Sequence, residues 1–266
     1  ILMRTDHTFA ICAYKESEYL EECIKSIKKQ SLKSNIIMVT STPNDFIKNM
    51  AKKNDIVLYI NEGEGGITQD WNFAYRKANT RYITIAHQDD LYLTNYAKRA
   101  IEVLDKAWHP LIYFTNYTEI REGKFVSSNK LLRIKRLMLF PLKFAQFRKS
   151  QFVRRRILSL GSPICCPSVT FVKDNLPRCI FSKGFQSDED WEAWEKISKL
   201  DGEFIYNPQI LMGHRIHRES ETSSVLKEGI RTKEDYVMFK KFWPSCIAKI
   251  LTRLYAKSEK SNELSE

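Results

Sequence analysis

The chain has 266 residues, of which 43% are hydrophobic and 12% aromatic, a composition that can supply the core of a globular enzyme. It contains no run of about 18 apolar residues, and its six cysteines form neither a CxxC pair nor the spacing of a zinc site. These features argue against a transmembrane helix and a structural zinc site. The scattered cysteines and the lack of a secretory signal pattern predict a cytoplasmic protein.

The formal net charge of +11 comes from one segment. Residues 121–156 contain 12 Lys or Arg and one acid, Glu122, whereas the rest of the chain has equal numbers of basic and acidic residues. Three interpretations remain open: a solvated helical face, a nucleic-acid site, and an interfacial surface for anionic lipid. The lipid surface is favoured because basic and apolar residues alternate, and it would place the protein at the inner face of a membrane. Nucleic acid is the least favoured partner because no recognised nucleic-acid module is present.

The first ninety residues alternate between strand and helix patterns. Apolar runs predict strands at 9–14, 35–40, 56–60 and 82–86. Apolar residues at helical spacing predict helices at 17–30, from 44 or 45 onwards, and at 68–79. This order predicts an α/β fold with a mostly parallel central sheet flanked by helices.

The second half of the chain mixes the two patterns. Strands are predicted at 111–119, 124–127, 169–172 and 203–206. Helices are predicted at 94–107, 130–139, from 142 onwards, 188–200 and 225–256, the last interrupted by Pro244. Residues 257–266 are predicted to be a polar, frayed tail.

The strand predicted at 82–86 ends in four polar residues, His87-Gln88-Asp89-Asp90. Adjacent carboxylates repel each other, and a hard divalent cation such as Mg²⁺ or Mn²⁺ would compensate them. Ligands also bind at the carboxyl ends of strands in open α/β sheets. The alternative is a solvated Asp-Asp turn that caps the next helix.

Two later segments also contain candidate functional residues. In 187–194, Asp188 or Ser187 is expected to cap a helix, and one of the following carboxylates is a candidate general base shielded by tryptophans. In 213–224, alternation predicts a strand that presents Arg215 and His217 on one face, where they could hold a pyrophosphate or complete a metal shell.

Taken in order, these segments resemble the family-two glycosyltransferases, which have the GT-A fold. The resemblance covers about residues 8–222. Its motifs are Ala10–Glu16 with the helix at 19–27, Gly65-Gly66 with Trp71-Asn72 and Ala78, His87–Asp90, Glu189–Trp194, and Arg215–His217 with Ser220 and Ser223. Two positions depart from the family pattern: Thr40-Ser41-Thr42 replaces an acidic pair, and His87 replaces the first acid of the Asp-x-Asp motif.

The resemblance implies a metal-dependent, inverting transfer of a sugar from a nucleotide-diphosphate donor, with a UDP-sugar expected first, to a glycan or lipid-linked acceptor in cell-surface polysaccharide synthesis. The cofactor would be Mn²⁺ or Mg²⁺. It also implies a transferase domain at 1–222, with a nucleotide-sugar-binding half at about 1–110 and an acceptor-binding half at 111–222 that includes the basic insertion 121–156. Residues 223–266 would form a C-terminal helical extension and tail.

The resemblance assigns a role to each matching position. The catalytic base would be Asp190. The donor nucleotide would be bound by Ala13, Tyr14, Glu16, Thr40, Trp71, Asn72 and Asp89. The metal would be bound by Asp90 and more weakly by His217, and the pyrophosphate or acceptor would be bound by Glu189, Trp191 and Arg215.

Two functions of other classes remain as alternatives. The first is a non-catalytic, basic module of the same fold that binds membrane or nucleic acid. The second is a nucleotidyltransferase, which shares metal-binding carboxylates and a similar sheet. A nucleotidyltransferase usually has a glycine-rich phosphate loop after its first strand, whereas residues 13–17 contain no glycine.

Overall fold

The computed structural model describes residues 6–217 and 229–260, without the side chains of 258–260. The strands are β1 (His7–Cys12), β2 (Asn35–Thr40), β3 (Val57–Ile60), β4 (Tyr82–His87), β5 (Leu91–Tyr92), β6 (Pro110–Arg121), β7 (Lys124–Val126), β8 (Val169–Val172) and β9 (Glu203–Ile216). The helices are α1 (Leu20–Lys28), α2 (Asp45–Lys53), α3 (Ile67–Lys77), α4 (Tyr96–Leu104), α5 (Lys130–Leu139), α6 (Ala145–Arg148), α7 (Gln151–Leu158), α8 (Glu189–Ile197), α9 (Ile230–Lys240) and α10 (Ser245–Lys260).

One sheet holds all nine strands, in the order β3-β2-β1-β4-β8-β6-β9-β5, with β7 paired to β6. The first four strands are parallel, and β9 runs parallel to β6, whereas β8 is antiparallel to both of its neighbours. Helices cover the sheet, and the predicted α/β class is confirmed. The carboxyl ends of β1, β2 and β4 therefore meet at one edge, where ligands bind in folds of this kind.

Strand β9 is much longer than the strand predicted at 203–206. Its pairing with β6 continues to Ile216 and passes an irregularity between Thr115 and Tyr117 of β6. The prediction missed this continuity because Asn207-Pro208-Gln209 interrupts the apolar pattern on which it relied. The Asn116 side chain donates to the Pro208 carbonyl oxygen at 2.6 Å and satisfies the irregular backbone there. The second half of β9 carries His214 and Arg215 towards the carboxyl end of β4.

The C-terminal helices belong to the main core. Trp191 of α8 is fully buried and lies against Phe239 of α9 and Tyr255 of α10, at ring-centroid distances of 5.0 and 5.9 Å. The predicted break at Pro244 separates the two helices. The tail predicted at 257–266 begins later, because α10 continues to Lys260. The predicted helix start at 225, the motif residues Ser220 and Ser223, the first five residues and the rest of the tail lie outside the described residues. Within the described ranges, no helix has the length and apolar composition needed to cross a membrane.

Six of the twelve Lys and Arg side chains in residues 121–156 are buried or half-buried. Arg121 pairs with Glu119 at 2.8 Å, Arg155 pairs with Glu195 at 2.6 Å, and Arg154 is fully buried. The interpretation of 121–156 as one solvated basic face is therefore too simple, because helical spacing turns alternate cations towards the core and towards solvent.

Arg154 fastens α7 to the loop before β9. Its two terminal guanidinium nitrogens donate to the carbonyl oxygens of Gly202 and Leu200 at 2.6 and 2.8 Å, and the group lies 5.0 Å from the ring centre of Phe204. Burial lowers the pKa of Arg154 to about 10. The side chain therefore stays charged at neutral pH.

We expect Arg154→Met to lower the free energy of unfolding by about 2–5 kcal/mol, because the buried Gly202 carbonyl and the part-buried Leu200 carbonyl lose this donor. Urea unfolding followed by circular dichroism measures this loss. The control is Arg133→Met on the exposed side of α5, for which we expect a change within about 0.5 kcal/mol. Equal effects of the two substitutions would contradict this role of Arg154.

Candidate active site

The carboxylate of Asp90 is held at the end of β4 by the second half of β9. Asp90 is fully buried, and its Oδ1 accepts hydrogen bonds from the Arg215 backbone N–H at 2.8 Å and from Nδ1 of His214 at 3.0 Å. Both donors come from the second half of β9. That part of the strand reaches Asp90 because Gly213 and Met212 pair with Leu91 and Tyr92 of β5. Asp90 therefore lies inside the protein rather than in a solvated turn, whereas the side chain of Asp89 is 21% exposed.

The residues at this strand end fit a divalent cation. His87, Asp89 and Asp90 each offer a ligand atom, and these atoms lie within 4.8 Å of one another. Among the described residues, Oδ2 of Asp90 and Nε2 of His87 are buried without a hydrogen-bond partner. A buried carboxylate oxygen without a partner is costly, and a cation would compensate that cost. Carboxylate oxygens suit Mg²⁺ and Mn²⁺, and imidazole is a ligand for several transition metals.

Arg215 and His217 lie beside this cluster and link it to α1. Arg215 donates through Nε to the Asp89 carbonyl oxygen at 2.9 Å and through Nη2 to Glu22 at 2.6 Å, and its guanidinium lies 4.2 Å from the ring centre of Tyr19. Nε2 of His217 lies 3.0 Å from Oδ2 of Asp89. His217 is thus adjacent to the predicted metal ligands, and its own ligation stays a prediction.

The predicted nucleotide side opens at the ends of β1 and β2. The Tyr14 ring is 45% exposed, and its backbone N–H and carbonyl oxygen pair with the side-chain amide of Gln88 at 2.9 and 3.0 Å. Ala13 and Thr40 are buried, whereas Glu16 is exposed. An exposed aromatic ring fixed by its backbone can stack on a base.

Sequence reasoning missed Asp70, which brings an acid to the end of β2. Its carboxylate accepts hydrogen bonds from the hydroxyl of Ser41 at 2.5 Å and from the amide of Asn61 at 2.8 Å. The position is therefore close to the place where Thr40-Ser41-Thr42 replaces the acidic pair. Its position on α3 directly before Trp71 could have indicated this role. The Trp71 ring stacks on that of His87, with 4.9 Å between the ring centroids.

Asn72 is engaged entirely within the protein. Its amide donates to the Phe181 carbonyl oxygen at 2.8 Å and accepts from the backbone N–H groups of Ile180 and Phe181 at 3.0 and 3.1 Å. The side chain is buried, so its contribution to a nucleotide site would be to fix the loop at 180–181 against α3.

Asp190 lies in the first turn of α8 with an altered acidity. Burial raises the pKa of its carboxyl to about 6, and the nearby Lys135 ammonium opposes that rise. Burial also raises the pKa of the Cys165 thiol well above its usual range, and the charges of Asp90 and Asp190 add to this rise. The two carboxylates therefore lie within electrostatic reach of one side chain, that of Cys165.

Lys135 is a second residue that the sequence did not reveal. It comes from the basic segment, yet its ammonium donates to the Tyr117 hydroxyl at 3.1 Å. The Tyr117 ring in turn lies 6.1 Å from that of His214. The pattern of α5 shows only alternation of basic and apolar residues, which does not distinguish an inward lysine from an outward one.

Two expectations for α8 are corrected by the structure. Trp191 was expected to contact pyrophosphate or acceptor, but it is fully buried and its indole N–H donates to the Leu158 carbonyl oxygen at 3.0 Å. Asp188 makes no side-chain capping bond. Instead, the half-buried Glu234 of α9 accepts the backbone N–H groups of residues 186, 187 and 188 at 2.8, 2.9 and 3.1 Å, which places a carboxylate near the positive end of α8. Glu189 is buried beside Asp190.

Comparison with known proteins identifies the family of the chain. The sequence profile described as Glycosyl transferase family 2 matches residues 8–181. Uncharacterized glycosyltransferases of Rickettsia typhi and Rickettsia prowazekii are each 23% identical to the chain, over 227 and 221 residues. Each alignment covers 82% of this chain and 66% of the relative, so the chain spans just under two-thirds of their length.

Solved structures share the fold at low sequence identity. S. aureus TarS in complex with UDP-GlcNAc matches with a TM-score of 0.65 and 15% identity, covering 94% of this chain and 70% of that one. The mannosyltransferase PcManGT from Pyrobaculum calidifontis, in complex with GDP-Man and Mn²⁺, matches with a TM-score of 0.59 and 15% identity, covering 99% and 77%. The predicted GT-A fold is confirmed, and the chain belongs to glycosyl transferase family 2.

Proposed function

We propose that the chain transfers a sugar from a nucleotide-diphosphate donor to an acceptor hydroxyl, with a bound divalent cation and with inversion at the anomeric carbon. The observation that supports this most directly is the buried Oδ2 of Asp90, which has no hydrogen-bond partner among the described residues and faces a cluster with Asp89 and His87. The raised pKa of Asp190 within the same site supplies the second requirement, a base.

The donor nucleotide would bind at the ends of β1 and β2. Its base would stack on Tyr14 above Ala13, with the exposed Glu16 at the rim, the buried Thr40 behind it and Asp89 towards the ribose. Asp70 would take part in reading the base through Ser41, since its carboxylate orients that hydroxyl. A UDP-sugar is the first donor to test. The structural neighbours were solved with UDP-GlcNAc and with GDP-Man, so a GDP-sugar belongs in the same panel.

The cation would be Mn²⁺ or Mg²⁺ and would be held by Asp90, with Asp89 and His87 beside it and His217 as a weaker candidate. Bound there, it supplies positive charge to the diphosphate as it leaves. Arg215 would add a fixed positive charge at the same place, because its guanidinium is held by Glu22 and by the Asp89 backbone. His214 would keep the Asp90 carboxylate oriented through its bond to Oδ1.

Asp190 would act as the general base. It would take the proton of the acceptor hydroxyl as the acceptor oxygen forms its bond to the anomeric carbon, and the bond from that carbon to the diphosphate would break. One displacement inverts the anomeric centre without a covalent sugar-enzyme intermediate. Glu189, next to Asp190, would contact the acceptor or the pyrophosphate.

The acceptor is proposed to be a glycan or lipid-linked hydroxyl in cell-surface polysaccharide synthesis, reached from the inner face of a membrane. The test of the transfer reaction is release of nucleoside diphosphate from a panel of UDP-, GDP-, dTDP- and CDP-sugars with Mn²⁺, Mg²⁺ or chelator. We expect nucleoside diphosphate to be released from one class of donor, and only when Mn²⁺ or Mg²⁺ is present. Absence of release from every donor, together with absence of nucleotide binding, would contradict the proposal.

The pH dependence of transfer is expected to respond to Lys135. The Asp190 carboxylate must be unprotonated to accept a proton, so activity falls as the pH drops through its pKa of about 6. The Lys135 ammonium favours the charged carboxylate, and in Lys135→Met that pKa rises. The acidic limb of the pH–rate profile should therefore move to higher pH in Lys135→Met and stay in place in Lys135→Arg. An unchanged or lowered limb in Lys135→Met would contradict the assignment.

A further inference from the structure

Residues 134–152 expose a group of apolar side chains that the transfer site does not use. We call this group the outer face of α5–α7. Their exposed fractions run from 37% to 73%, and they are Ile134, Leu137, Phe140, Phe144, Phe147 and Phe152. The ring centroids of Phe140 and Phe144 are 5.6 Å apart, and those of Phe144 and Phe147 are 6.2 Å apart, so these three phenylalanines are contiguous. Contiguous exposed apolar patches on proteins usually mark interaction sites.

Helix α5 has apolar residues on two opposite sides, and only one of these sides packs in the core. Leu132 and Leu139 are buried on its inner side, where they pack in the core. Ile134 and Leu137 lie one turn apart on the opposite side and face solvent, with Leu137 73% exposed. Packing against the rest of the protein explains the first pair only. The second pair is exposed instead.

The segment itself brings charge of one sign to this face, although Glu203 of β9 lies 3.6 Å from Lys149. No acidic residue occurs between Glu122 and Asp174. Lys130, Arg133, Lys143 and Arg156 are exposed at the rim. Lys143 lies 5.3 Å from the ring centre of Phe140, and Arg156 lies 5.6 Å from that of Phe152. Long cationic side chains in this setting keep their charge in water while their stems cover apolar surface.

The face continues onto α10. Arg156 lies between the rings of Phe152 and Trp243, 4.9 Å from the latter, and the Trp243 indole donates to the Ser159 carbonyl oxygen at 2.7 Å. Just beyond Trp243, α10 exposes Ile247, Ile250 and Leu254 at helical spacing. Lys249 and Arg253 are exposed among them. The C-terminal helix therefore repeats the combination of apolar and cationic residues.

We propose that the outer face of α5–α7, with the exposed side of α10, docks on an anionic lipid bilayer. Cations attract an anionic surface, and the exposed leucine, isoleucine and phenylalanine side chains enter the region of the headgroups. A nucleic acid would use the cations and leave most of these aliphatic side chains in water. A second copy of the chain would bring two faces of like charge together, since residues 123–173 contain no acid to pair with.

This inference gives the proposed membrane location a definite surface, and it uses no residue of the transfer site. Lys135, on the inner side of α5, contacts Tyr117 of the site, while Ile134 and Leu137 of the same helix face outward. One helix thus separates the site from the proposed lipid surface. A lipid-linked acceptor would have a short path between them.

Vesicle co-sedimentation tests the docking with the native chain. The vesicles contain phosphatidylcholine alone or phosphatidylcholine mixed with phosphatidylglycerol. We expect binding only to the anionic vesicles and weakening by added salt. Arg133→Glu/Lys143→Glu should bind at least about tenfold more weakly, because each basic residue near such a surface contributes about fivefold. Leu137→Gln/Phe144→Gln should also bind more weakly at unchanged net charge.

The matched control is Lys52→Glu/Val57→Gln, which changes one exposed cation on α2 and one exposed apolar residue on β3 and should bind as the native chain does. Thermal unfolding and nucleoside diphosphate release verify that each variant is folded, and they separate failure of docking from failure of transfer. Absence of binding to anionic vesicles would overturn the proposal. So would RNA binding that is tighter than vesicle binding and insensitive to Leu137→Gln/Phe144→Gln, or a dimer in light scattering that this variant dissociates.

Discussion

We expect Asp190→Asn to transfer sugar about 10²–10⁴ times more slowly than the native protein, the usual contribution of a positioned general base. Asparagine has nearly the same shape and can still accept the Trp191 backbone N–H, which lies 2.5 Å from Oδ1 of Asp190. It cannot take a proton from a hydroxyl. The fold and the donor site should therefore persist while the chemical step is lost. Steady-state kinetics with the donor found in the panel measures the effect.

The control for this variant lies on the same helix. Glu192 pairs with Lys196 and Lys241, each at 3.2 Å, and holds α8 against α9. Glu192→Gln should lower the melting temperature and leave kcat within a few-fold of native. If Asp190→Asn instead raised KM for the donor with an unchanged kcat, Asp190 would be a binding residue and the assignment of the base would be wrong.

The second large effect is expected from Asp90→Asn. The amide can keep the two hydrogen bonds that Oδ1 accepts, but it replaces the buried Oδ2, the oxygen assigned to the cation. Loss of an outer-shell partner alone usually costs about 10–100-fold in metal affinity, so loss of a ligand should cost at least about 100-fold. Titration calorimetry of the nucleoside diphosphate with Mn²⁺ and with chelator measures this. We expect native and variant proteins to differ with metal and to agree in chelator.

Asp105→Asn is the matched control for Asp90→Asn. Asp105 accepts the Tyr82 hydroxyl at 2.6 Å, at the opposite end of β4, and is remote from the metal cluster. Its variant should retain metal-dependent nucleotide binding. Metal-dependent binding of native strength in Asp90→Asn would contradict the role of Asp90.

The elements most local in sequence were the most predictable. The strands and helices up to residue 90 follow from apolar periodicity, because each is a short run bounded by polar or glycine residues. The motif order around Asp90 and Asp190 was also sufficient to identify the family. Each of these features depends on residues that are neighbours in the sequence, so the sequence pattern alone predicts it.

What the sequence did not show depends on contacts between distant segments. The length of β9 follows from its pairing with β6, and the inward direction of Lys135 and Arg154 follows from how α5 and α7 pack. Trp191 was expected at the site because of its motif, yet packing by α9 and α10 buries it. The loop just before α8 is held by Glu234, more than forty residues later. Composition could locate the basic charge but could not divide it between core, site and surface.

The proposed function rests on metal-dependent recognition of a nucleotide diphosphate at the ends of β1, β2 and β4. A thermal-shift panel of UDP, GDP, dTDP and CDP, each with Mn²⁺, Mg²⁺ or chelator, tests it most directly, because a ligand of the folded state raises the melting temperature by mass action. We predict a rise with one nucleotide in the presence of metal, and no rise in chelator or in Asp90→Asn. The same melting temperature with every nucleotide and metal would contradict the claim.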